Sequence, residues 1–197
     1  EDDRQRIEDW YQQALVELKA AEDWRARAAR FEMEREEAPA KKKAIQDELA
    51  EPAPEIKIEI AESETLADLE QRLLAAEEAL AAARKEQETL EDEPQRLSAR
   101  RLEIPKLQEA AKIKKRQIEE EIAFRAGRTE EPALGEARLT LLRIRLQAVE
   151  AEQHAYEKEI LAHDSRGELA LAMRDQAARR TAQAEKSAAA LRKVVAE

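Results

Sequence analysis

Apolar and small residues recur along this chain in alternating steps of three and four, the spacing that keeps them on one helix face and winds neighbouring helices into a left-handed coiled coil. In the last third, Leu142, Leu146, Val149, Tyr156, Ile160, Ala170, Ala177, Ala184, Ala188, Leu191 and Val195 follow that stripe. Pro132 suits the first turn of such a helix and Gly127 the stop of the one before it, which predicts a helix over about 132–196. In the middle, residues seven apart from Leu69 read Ala76, Ala83, Leu90, Leu97, Ile104, Ala111 and Ile118. The phase holds across Pro94 and Pro105, so one helix is expected over about 65–126, with Pro94 as its kink or break point. Thr65 and Asp68 form its capping signature. The first segment carries Ile7, Trp10, Ala14, Ala21, Trp24, Ala28, Phe31, Ala38, Ile45 and Leu49 at the same spacing, a helix over about 3–51 with a possible kink site at Pro39.

Between the first two helices lies a connector, 52–64, in which Ile56, Ile58 and Ile60 alternate as in a strand. A lone strand has no partner, so an extended link laying its isoleucines on the helices is expected. Two connections treated as tight turnarounds make sequential helices antiparallel. The expected fold is all-α: one elongated antiparallel three-helix coiled coil occupying 1–197 as a single domain. Counting back from the two turnarounds sets Trp24, Pro94 and Gly167 at one level, with the indole filling volume that the glycine vacates.

Composition sharpens this picture. Charged residues make up 41% of the chain and aromatic residues 3%. Alanine supplies much of the 43% counted as hydrophobic; it favours helix while burying little area, so narrow seams are expected rather than a thick core. A net charge of -10, from 35 basic and 45 acidic residues, opposes nucleic acid and anionic lipid as partners. The absence of cysteine removes any disulfide framework, and no apolar run reaches the roughly 20 residues of a membrane helix. The start at Glu1 is read as that of a mature or excised fragment.

Candidate chemistry is sparse. There is no Gly-rich phosphate loop and no nucleophile motif. Glu150 and His154, four apart on a helix, could meet a metal, but glutamate is abundant enough that chance explains the pair. His163 falls on the seam beside Asp164 and reads as a histidine satisfied locally. No catalytic, cofactor-binding or metal residues are assigned, and no small-molecule substrate. Tyr11 lies off the phase of Trp10, Trp24 and Phe31; with Ile56, Ile58 and Ile60 it is the candidate surface contact.

Three stretches carry a resemblance: Trp10-Tyr11-Gln12-Gln13-Ala14-Leu15-Val16-Glu17-Leu18; Thr65-Leu66-Ala67-Asp68-Leu69-Glu70-Gln71-Arg72-Leu73 after its proline-rich connector; and Leu161-Ala162-His163-Asp164-Ser165-Arg166-Gly167-Glu168-Leu169, followed by Met173 to Arg180. In that order they resemble the long helical, extracytoplasmic region of potassium-dependent, small-conductance-type mechanosensitive channels, the porin-like domain. That family usually shows tyrosine at the place of His163 and a bulkier residue at that of Gly167. The resemblance implies a non-catalytic periplasmic domain, attached to the inner membrane in the full-length protein, with a structural or gating-modulating role under osmotic tension. Its implied partners are other parts of the same channel, the isolated domain being a monomer or weak oligomer. The rival reading is a free-standing cytoplasmic coiled-coil scaffold.

Overall fold

The computed structural model describes residues 2–61, 63–126 and 131–197. Three helices account for most of them: α1 (Asp2–Ala50), α2 (Leu66–Ala126) and α3 (Pro132–Ala196), with no strand among the described residues. The fold is an all-α bundle in which α3 packs against both α1 and α2. Gly127, the expected stop of α2, lies outside the described residues.

Local chemistry explains where α2 begins. The Thr65 backbone N–H donates to the Asp68 carboxylate at 2.9 Å, and the Asp68 N–H donates back to the Thr65 hydroxyl oxygen at 3.3 Å, so two of the helix's first orphan donors are satisfied. The Thr65 hydroxyl also donates to the Asp68 carboxylate at 2.6 Å, and this bond, followed by that from the Thr65 N–H, holds the Asp68 carboxyl below its ordinary range. The helix then runs through both Pro94 and Pro105 to Ala126 without a break. Pro94 forfeits one backbone hydrogen bond, but half-buried Leu90 and buried Leu97 and Ile104 keep the stripe's phase on either side, and packing outweighs that single loss. Pro39 likewise lies inside α1.

By contact the chain sorts into two compact units, the first comprising Glu1–Glu36 with Ala99–Asp164 and the second Glu37–Ser98 with Ser165–Glu197. In the first unit α1 and α3 run parallel: Glu17 pairs with Arg145 and Glu32 with Lys158, partners separated by 126 to 128 residues. There α2 runs antiparallel to α3, pairing Arg100 with Glu159 and Lys115 with Glu150. Ile104, Ala111, Val149 and Tyr156 form the core, flanked by Leu107 and Ile118. A second cluster joins Ala21 to Ala148 and Ala151.

The second unit repeats these directions. Lys42 pairs with Glu168 and Glu48 with Gln176, again 126 to 128 residues apart, while α2 meets α3 through Arg84–Glu185 and Glu77–Arg192. Arg179 of α3 donates to the backbone carbonyls of Glu48 and Glu51, satisfying the last turn of α1. The connector is therefore no tight turnaround. α1 ends beside Arg179, yet the chain continues past it until the Glu59 carbonyl and the Glu64 carboxylate receive Arg72, near the start of α2.

That extended run corrects the register drawn from sequence. Counting back from a tight turn set Trp24 near residue 92, but the connector carries α2 well beyond the end of α1 before it starts. Trp24 therefore packs with Ile104, Ala111, Val149 and Tyr156 in the first unit, rather than with Pro94 and Gly167. At Gly167 an added Cβ would meet nothing within 4 Å, so the glycine vacates no volume that a neighbour fills.

One seam residue is also displaced. Ile160 is 41% exposed, because α3 serves two neighbours and its buried face after Tyr156 passes through Glu159 and Ala162.

Candidate functional site

The residues with most chemical character converge around Trp24 in the first unit. Heptad phase brings Trp24 of α1 and Tyr156 of α3 together, edge to face, with ring centroids 5.3 Å apart. The guanidinium of Arg27 covers the indole at 4.6 Å. Tyr156 is buried and donates its phenol O–H to Glu152 at 3.0 Å. Burial, followed by that hydrogen bond and the charge of Glu152, pushes its pKa up to about 12.

One helical turn along α3, Glu159 sits buried and accepts two hydrogen bonds from Arg100, at 2.8 and 3.0 Å. Arg100 lies on the stripe of Leu97 and Ile104, so its stem is directed inward. The hydrogen bond to Glu159 raises the pKa of the guanidinium, offsetting the opposing effect of burial. Its guanidinium also stands 5.8 Å from the Tyr156 ring centre. The sequence held no signal for this pair: seven residues apart from Arg100 stand Glu86, Glu93 and Lys114, and from Glu159 Arg145, Glu152 and Arg166, so neither charge stands out.

Beside the aromatic pair a cavity of about 320 Å³ opens between the three helices, lined by Glu17, Trp24, Lys114, Ile118, Arg145 and Glu152 among others. Glu17 is already engaged by Arg145 and Glu152 by Tyr156. The arrangement is one of charges paired across helices, without a nucleophile and base placed together.

The other sequence candidates lie apart from it. Tyr11 is 43% exposed on α1; Ile56 and Ile58 are half-buried and Ile60 is exposed in the connector. Glu150 is paired with Lys115 at 2.8 Å, whereas His154 is exposed near Glu157. His163 lies 3.3 Å from Asp164 and 3.4 Å from Arg101. The His163 hydrogen bond, and then the charge of Arg101, hold the Asp164 carboxyl below its ordinary range. Among the described residues no three His, Asp or Glu side chains are placed to hold one metal ion. No described helix is long and apolar enough to cross a membrane.

The family model of the mechanosensitive ion channel porin domain matches residues 1–197. This chain belongs to that family. The porin-domain match covers all three helices and the connector, and it names a domain of membrane channels rather than an enzyme family. No curated protein matches the chain. No solved structure matches it.

Proposed function

We propose that this porin domain is the non-catalytic, periplasmic helical part of a mechanosensitive channel, and that it tunes the tension at which the channel opens. The observation that carries this reading is the family match over the whole chain. The helical packing supports it, since residues at the interfaces are spent on seams and cross-helix ion pairs. The bidentate Arg100–Glu159 pair, with its carboxylate buried, and phased seams resist sliding of one helix along another, as suits a part that must bear load. Its partners are then the other parts of the same channel.

The test uses the full-length channel in cells lacking their other mechanosensitive channels. Removing residues 1–197 should leave a conducting pore whose opening pressure is shifted in membrane patches. An unchanged threshold, with unchanged survival of osmotic downshock, would refute the tuning role. Location is tested separately by introducing cysteine at exposed Tyr11 and labelling intact cells with a maleimide that does not cross the inner membrane. Protection until that membrane is opened would refute the periplasmic placement.

A further inference from the structure

The outward face of α2 in the first unit carries a second apolar stripe. Leu102, Ile113 and Phe124 are 75%, 48% and 58% exposed, although their side chains are large and apolar. They recur every eleven residues, close to three helical turns, so they stand in line. Ile113 is nine residues, two and a half turns, from fully buried Ile104, which sets the stripe opposite the core. The exposed residues Lys106, Glu109, Arg116, Gln117 and Glu120 share this face. Among the described residues Lys106, Arg116 and Glu120 form no ion pair, and Glu109 has a loose one, 3.9 Å to Lys112.

The spacing on this face is its own mirror image. From Ile113, steps of four, three and four lead through Glu109 and Lys106 to Leu102 in one direction, and through Gln117 and Glu120 to Phe124 in the other. We propose that residues 102–124 of α2 bind the same surface of a second copy, antiparallel, about a two-fold axis at Ile113. In that register Leu102 meets Phe124, Lys106 meets Glu120, and Glu109 meets Gln117 with Arg116 beside it, each contact occurring twice. Every one of these charges gains an opposite neighbour. A parallel pairing would instead set Lys106, Glu109 and Glu120 each against itself. The same test fails on α1, where exposed Tyr11 and Met33 share the spacing but their midpoint is Glu22, a like charge on the axis. The strip on α2 is about 33 Å long and roughly 10 Å wide, hence about 330 Å² per copy. That is under half of the roughly 800 Å² per partner in a stable complex, so the dimer is weak, with a Kd of about 0.1 mM. This inference stands independently of the channel reading.

The chain contains no cysteine, so single introduced thiols report the register. Under mild oxidation Ile113→Cys should link to its own copy at least about tenfold faster than Leu102→Cys, whose two-fold mates stand about 33 Å apart. Leu102→Cys mixed with Phe124→Cys should link one to the other. Sedimentation of the 197-residue chain should show the dimer at about 0.1 mM. Lys106→Glu should weaken it roughly tenfold by setting like charges together twice, and Lys106→Glu with Glu120→Lys should restore it. Thermal melting should change little in all of these variants, because the substituted sites are exposed. A chain that stays monomeric up to about 1 mM would overturn the proposal. So would self-linking of Leu102→Cys as fast as that of Ile113→Cys, or a Lys106→Glu dimer as tight as the original.

Discussion

Trp24 meets Tyr156 edge to face, with their ring planes inclined by 65°. The pair joins α1 to the core that α2 and α3 share, so its energy should be visible in a double-mutant cycle. Trp24→Ala is expected to cost about 2–4 kcal/mol, below the full cost for a buried aromatic because the indole is half-buried. Coupling with Tyr156→Leu should be about 0.5–1.5 kcal/mol. Thermal melting of the four proteins measures it, and strict additivity would show that the rings merely lie side by side.

Arg100 and Glu159 should behave as a unit. Glu159→Leu alone leaves a half-buried guanidinium without its acceptor and should destabilise by about 2–3 kcal/mol, discounted for the 36% exposure of Arg100. Replacing both, Arg100→Met with Glu159→Leu, should recover most of that loss. Urea unfolding of the single and double variants decides. A double variant as weak as the single one would assign the loss to packing.

Tyr156 predicts an alkaline limit. Its folded pKa of about 12 lies above the ordinary 10, so the proton is held more tightly in the folded state. The associated stability is whole below pH 10 and lost as pH rises through 12. Phenolate absorbance should therefore show one tyrosine titrating late, and Tyr156→Phe should abolish that late phase. The acidic side has the opposite sign. Glu32, Asp68 and Asp164 have lowered folded pKa values, so what they contribute is present above their unfolded values and fades as pH falls through the folded ones. Weakening should accordingly begin below about pH 4.5.

The seam should rank its residues by volume. Ile104 is fully buried, and Ile104→Ala should cost about 2–5 kcal/mol. Ala21→Gly, at an equally buried site, should cost only about 1 kcal/mol, chiefly through helix propensity. Equal losses would mean that the two seams contribute alike.

The heptad stripes were legible because burial follows phase along a single helix: positions Leu69 through Ile118, seven apart, are all buried or half-buried. The pairing of Trp24 was not, since it depends on how far an extended link carries the chain, and in residues 52–64 the brief alternation of Ile56, Ile58 and Ile60 does not set that reach. The Arg100–Glu159 contact left no mark either, since charges recur at both heptad positions, as at Glu93 and Glu152. That Arg100 and Glu159 meet depends on the staggering of two helices, which local patterns do not encode. α3's second buried face escaped for a related reason: alanines such as Ala148, Ala155 and Ala162 look alike whether they face a neighbour or water.

The connector also sets how the chain tolerates changes of length. One residue inserted in a helix turns everything after it by about 100° and carries its seam out of register. Between Glu51, held by Arg179, and Glu59, held by Arg72, no such phase exists. With Glu77 opposite Arg192, those two anchors lie some 18 helical residues apart along α3, roughly 27 Å, and eight extended steps reach about the same distance. The link is thus a cord with almost no slack: it accepts added residues as a harmless bow, whereas each residue removed must drag an anchor from its place.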